Sequence, residues 1–176
     1  MNSKPLSKKT REQIYENENT PSHVIRHCKC VSEVALAIGG ALQKEGLPLN
    51  LKLIQDSCLL HDLKRAVPNH AEEGYEVLLN LGLLEEAEIV REHMRHNPSC
   101  TCEALTELDI VCIADRLVLE DEYVGLEKRM EYVLNKASGE DAVKAIINKK
   151  QELKSVLKKI EEKTGRTIDE IVRKGK

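Results

Sequence analysis

Aromatic residues are nearly missing from this 176-residue chain, which has four Tyr, no Phe and no Trp. A platform that stacks successive bases of a single strand needs aromatic faces in series. That class of function is excluded, and the core has to be built from Leu, Ile, Val, Ala and Cys. A basic surplus is missing as well: 27 Lys and Arg stand against 30 Asp and Glu, a net charge of −3. No nucleic-acid polymer and no anionic membrane is expected as a partner. Long hydrophobic runs are absent too. The longest uncharged apolar stretch, Val34 to Leu42, is far short of the roughly 20 residues of a membrane span. Met1 to Lys9 carry no apolar segment of a secretory signal. The six Cys are too scattered for a disulfide framework, so the expectation is a reduced, cytoplasmic protein.

What the chain does have is helical periodicity. Residues 1–20 are polar and read as a loosely attached arm. From Ser22, the residues Val24, Ile25, Cys28, Val31, Val34, Ala35, Ile38 and Leu42 recur three or four apart, and Gly46-Leu47-Pro48 ends the run. A second helix follows Asn50 and ends near His61-Asp62. Pro68-Asn69 opens a third, with Gly82 as its stop. Leu84 to His96 makes a fourth, halted by Asn97-Pro98. Thr106 to Asp109 resembles a capping box for a helix carrying Ile110, Val111, Ile113, Ala114, Leu117 and Val118. Beyond about residue 125 the chain becomes more charged. Val143, Ile146, Leu153, Leu157 and Ile160 form one seam, and a short helix from Thr167 to Lys174 closes the sequence. No run alternates over five residues, so no strand is expected. The fold class is all-α: a core at 21–125 and a C-terminal helical extension at 126–176 packed on it. The extension's seam is also a candidate homodimer contact.

His61-Asp62 follows the apolar Cys58-Leu59-Leu60 and precedes the basic Lys64-Arg65. An acid and an imidazole buried there cost several kcal/mol unless paired or bound to a metal. On a regular helix, neighbours point about 100° apart and cannot share a target; at an ended helix they can. Asp115 is a second acid in an apolar setting, Ile110-Val-Cys-Ile-Ala-Asp-Arg-Leu-Val. Imidazole nitrogen with carboxylate oxygen suits Fe, Mn, Zn, Co or Ni better than Ca or Mg.

The order His27, His61-Asp62, Asp115 resembles the defining pattern of the HD superfamily of metal-dependent phosphohydrolases. Arg26-His27-x-x-x-Val31, Leu59-Leu60-His61-Asp62-Leu63, His70-Ala-Glu-Glu-Gly74, Val90-Arg-Glu-His93 and Ala114-Asp115-Arg116 are similar to its successive motifs, over roughly residues 22–120. The resemblance implies an HD-type helical bundle. It also implies one metal on His27, His61, Asp62 and Asp115, and a second on His70 and His93, with Asp62 bridging. Water activated by one or two divalent transition metals would then attack a small phosphorylated substrate, a nucleotide being the first class expected. Asp62 and Arg65 are the expected catalytic residues, with Lys64, Arg65, Arg91, Arg95, His96 and Arg116 as candidate contacts to substrate.

The sequence departs from particular branches of that family. Leu63-Lys64-Arg65 replaces the Ile-Gly-Lys of HDIG-type members, and the HD-GYP signature is absent. Arg116-Leu-Val-Leu-Glu-Asp-Glu-Tyr123 does not resemble the corresponding stretch of the bacterial symmetrical dinucleoside-tetraphosphate hydrolases. The substrate is therefore left open. A nucleotide-binding module without turnover and a di-iron oxygenase of the same fold are the alternatives. His23 reads as a surface residue. Cys28, Cys58 and Cys112 read as core, and Cys100-x-Cys102 lacks the usual spacing of a zinc pair.

Overall fold

The computed structural model describes residues 6–98 and 101–173. Among these the chain is all-α. Helix α1 spans Lys8–Asn17, α2 Ser22–Lys44, α3 Leu51–Leu60, α4 His70–Asn80, α5 Leu84–Glu92 and α6 Glu107–Asp115. A two-residue hairpin, β1 Val118–Leu119 and β2 Glu122–Tyr123, leads into α7 Gly125–Lys136, α8 Glu140–Thr164 and α9 Ile168–Arg173. No helix among the described residues is long and apolar enough to cross a membrane.

Local chemistry sets the helix ends. The Asn50 side chain accepts from the Lys52 and Leu53 amides at 3.2 and 3.1 Å and starts α3. Thr106 and Asp109 form both halves of a capping box on α6. Asn69 holds the left-handed conformation at φ 56°, which asparagine tolerates, and so sets His70 as the first residue of α4.

Two aliphatic clusters fill the interior. The larger joins Val31, Ile38 and Leu42 of α2 to Ile54 of α3, Ile110 and Ile113 of α6, and Leu153 and Ile160 of α8. The smaller joins Ile14 and Tyr15 of α1 to Leu60, Leu63, Leu78 and Val90. A Cβ on Gly74 would stand 3.0 Å from Val90 Cγ1, so a glycine there lets α4 lie close against α5.

Two expectations need correction. Residues 8–17 are a helix and not a loose arm. Ser7 caps it, Ile14 and Tyr15 are buried, and Arg11 reaches Asp56 of α3 at 3.1 Å. With only two strongly apolar side chains facing inward, its stripe is too narrow to show as periodicity. The hairpin also escaped the sequence, because two-residue strands carry no alternation. The α8 seam packs inward: Leu153, Leu157 and Ile160 are buried in the chain's own core, while Val143 and Ile146 are half-buried.

Candidate metal centre

Five helices converge on one place, four of them through an end. His61 and His93 are the C-cap residues of α3 and α5, and Asp115 is the last residue of α6. His70 opens α4, and His27 lies in the second turn of α2. Three helix C-termini, each with partial negative charge, favour a cation where they meet.

The His61-Asp62 pair shares a target because α3 stops at Leu60. Beyond it the chain turns through tighter bonds, from the Leu63 amide to the Leu60 carbonyl at 3.0 Å and from the Arg65 amide to the Asp62 carbonyl at 2.9 Å. Helix α1 and the segment just after it brace this turn. Tyr15 Oη donates to the Leu59 carbonyl, Thr20 Oγ1 to the Leu63 carbonyl at 3.0 Å, and Lys64 pairs with Glu18 at 3.0 Å.

Three of the imidazoles are oriented from behind. Nδ1 of His27, His61 and His93 lies 2.6, 2.8 and 2.6 Å from the carbonyls of Glu120, Cys58 and Val90. A carbonyl only accepts, so each Nδ1 carries the proton and each Nε2 presents what a metal requires. These Nε2 atoms face the carboxylates. His27 Nε2 is 3.1 Å from Asp115 Oδ1 and 3.9 Å from Asp62 Oδ2, and His61 Nε2 is 3.7 Å from each of the same two oxygens. The other Asp62 oxygen, Oδ1, faces His70 Nε2 at 3.1 Å and His93 Nε2 at 3.8 Å. Asp62 thus stands between two lobes, one with His27, His61 and Asp115, the other with His70 and His93.

The electrostatics agree. Burial opposes ionisation of Asp62 and Asp115, yet the imidazoles hold both well below the usual carboxylate range, His61, His70 and His93 acting on Asp62 and His27 and His61 on Asp115. Burial disfavours charge on His61, but Cys28, Asp62 and Asp115 together raise it well above the ordinary imidazole value. His61 Nε2 and Asp62 Oδ1 are buried without a hydrogen-bond partner. Orphaned atoms of this kind cost about 1–3 kcal/mol each, and divalent cations in the two lobes would satisfy them. His27, His61 and Asp115 form one grouping able to hold such an ion, and His61, Asp62 and His93 another. The donor set fits a transition metal.

The predicted contacts to substrate divide sharply. Arg65 lines the cleft of about 270 Å³ over the site, with Nη1 3.2 Å from His70 Nε2 and Nε 3.7 Å from Asp62. The others do not line it. Lys64 is held by Glu18. Arg91 pairs with Glu88 and Glu92 and lies over the Tyr75 ring. Arg95 is exposed on the turn after α5. His96 Nε2 is bound to Asp109 at 2.7 Å, and Arg116 donates to the His96 carbonyl at 2.7 Å. Each of these five stands in a basic run or beside a helix end, where sequence alone does not say which way a long side chain turns.

Sequence reasoning also missed residues that do line the cleft: His23, Glu120, Arg129 and Tyr132. Arg129 left a signal, falling three residues after Leu126 and beside Met130 on the apolar stripe of α7, an odd place for a charge. Of the cysteines, Cys28, Cys58 and Cys112 are buried, and burial pushes the Cys112 thiol up to about 12. Cys100 lies outside the described residues.

Comparison with known proteins agrees with this geometry. The model of the HD domain matches residues 24–119, more than half of the chain, and that segment contains His27, His61, Asp62, His70, His93 and Asp115. The uncharacterized protein MJ0778 of Methanocaldococcus jannaschii is 29% identical in an alignment covering 77% of this chain and 90% of that protein. No solved structure matches significantly. The chain belongs to the HD domain family, whose members are generally metal-dependent phosphohydrolases.

Proposed function

We propose that this protein is a hydrolase that cleaves a phosphate ester or anhydride of a small phosphorylated molecule, with nucleotides the first class to test. The observation that carries the reading is the set of Nε2 atoms, oriented from behind by main-chain carbonyls and aimed at Asp62 and Asp115. His27, His61, Asp62 and Asp115 would hold one divalent ion, and His70 and His93, together with Asp62, would hold a second. Such ions, when bound, would supply a nucleophilic water at neutral pH and neutralise phosphoryl oxygens.

The chain's own residues do the remaining work. Asp62, kept ionised by its imidazoles, accepts a hydrogen bond from the attacking water and orients it. Arg65, half-exposed at the rim, offers its planar fork to the phosphate. Leu63, buried just behind the pair, and the α1 brace keep the turn from moving away from the site.

The test is hydrolysis of a phosphomonoester, a phosphodiester and a nucleotide panel in the presence of Mn, Ni or Co. Release of phosphate or nucleotide product that disappears in Asp62→Ala is expected. Full activity in that variant contradicts the mechanism.

A further inference from the structure

Outside the segment that carries the HD motifs, one side chain has no counterpart in the scheme above. Arg129 belongs to α7, which is anchored by the buried Leu126 and Met130. Its side chain lines the same cleft as His27, Asp62, His93 and Asp115. Its Nε is buried and makes no hydrogen bond, and among the described residues no carboxylate pairs with it. The Tyr132 ring lies to one side of it, with its centroid 5.8 Å from the guanidinium carbon. An arginine is always charged and carries five donors in a fixed fork. A donor of that kind left unmet inside a cleft is costly, and none of the three acids that line the cleft serves it: Asp62 and Asp115 are ringed by imidazoles, and the exposed Glu120 makes no ion pair with it.

We propose that Arg129 is a substrate-binding residue that takes a non-bridging oxygen of the substrate's phosphate group. It faces the cleft from α7, whereas Arg65 comes from the turn after α3. The inference rests on the phosphohydrolase reading for its choice of anion. It makes the C-terminal extension part of the site and not only a layer packed on the core. Two guanidinium groups over one cleft of about 270 Å³ favour a substrate whose phosphate is a terminal dianion, with oxygens to spare for both.

The test uses the full-length, metal-loaded protein with Arg129→Gln and Arg129→Lys. Four quantities are read: metal content, KM and kcat for the best phosphoester, and the affinity for inorganic phosphate by calorimetry. Arg129→Gln is expected to keep its metal and its helical circular dichroism. Its KM and its dissociation constant for phosphate should both rise by about 10-fold or more, the scale of a lost hydrogen bond to a charged group. Arg129→Lys, which keeps the charge without the fork, should fall between, and serves if the glutamine variant does not fold. Unchanged phosphate affinity in a folded, metal-loaded variant overturns the proposal, whatever happens to KM. The calorimetric arm separates this proposal from the function itself. A wild type that hydrolyses no phosphoester but binds phosphate through Arg129 defeats the function and keeps the anion site. A wild type that turns over substrate with Arg129 irrelevant does the reverse. A wild type that neither binds phosphate nor hydrolyses any phosphoester defeats both.

Discussion

Asp56 and Asp62 stand at the middle and just past the end of one helix, α3, and both are buried, at 1% and 6% exposure. Their partners differ in kind. Asp56 faces two permanent cations, Arg11 at 3.1 Å and Lys52. Asp62 faces four imidazole nitrogens at 3.1 to 3.9 Å, with Arg65 alone, half-exposed, at 3.7 Å. An ammonium or guanidinium keeps its proton at any ordinary pH, so the charge at Asp56 is settled once, on folding. An imidazole, unlike these, can give up its proton to an incoming metal ion and then has a lone pair to offer. The same residue type is a structural counter-ion in one case and the middle of an exchangeable cation site in the other. The difference lies in what surrounds it.

Substitution separates the two roles most widely. Asp62→Ala should lower kcat/KM for any phosphoester turned over by more than about 100-fold, beyond the usual loss for a partner of a metal ligand. Asp56→Asn should leave kcat/KM per folded molecule unchanged. Steady-state kinetics on both variants checks the contrast, and equal losses would erase it.

Metal comes next. Adding Mn to chelator-treated protein at about 100 times its dissociation constant should stabilise the fold by about 2.7 kcal/mol, or about 5–10 °C in Tm. Thermal melts should show that rise in wild type and in Asp56→Asn but not in Asp62→Ala. Asp56→Asn in turn should cost about 2 kcal/mol in denaturant titration. That is less than a fully buried pair, because Lys52 is partly exposed. A variant as stable as wild type would mean that Asp56 is not the counter-ion described.

The smallest effect is in pH. The depressed carboxyls of Asp62 and Asp115 stabilise chelated protein above their ordinary value of about 4, and this is lost as acid protonates them. The raised imidazole of His61 stabilises it below about 6.5, and this is lost as pH climbs through the elevated value. Tm of chelated protein should therefore peak between about pH 4 and about 6.5. With Mn present, protons compete with the ion for imidazole, and the optimum should move upward by about one pH unit or more. Identical pH profiles with and without metal would contradict this.

The sequence disclosed the site better than its surroundings. His61, Asp62 and Asp115 were legible because apolar helical context makes an acid or imidazole conspicuous, whereas His27, His70 and His93 were legible through the resemblance to the HD superfamily; the structure brings all six together. The helix-end placement of His61-Asp62 was legible too, from Leu63 to Pro68. The long cations were not. Lys64, Arg91 and Arg116 reach several ångströms from their backbone, and Glu18, Glu88 or a carbonyl across the chain decides where each goes, while Arg95 turns out to solvent. The clip on His27 was hidden for another reason. It is a carbonyl, Glu120, exposed by a turn at φ 55°, and any residue type supplies a carbonyl. Arg129 was visible as a charge on an apolar stripe, but nothing in the sequence says that α7 lies over the cleft.

The central claim is that Asp62 and the imidazoles around it hold divalent metal. Metal analysis of chelated protein, reloaded with Mn and freed of excess ion, tests it most directly. The account predicts two ions per wild-type chain, the same in Asp56→Asn, and none in Asp62→Ala. A wild-type chain that retains no ion, or an Asp62→Ala chain that retains as much as wild type, would contradict it.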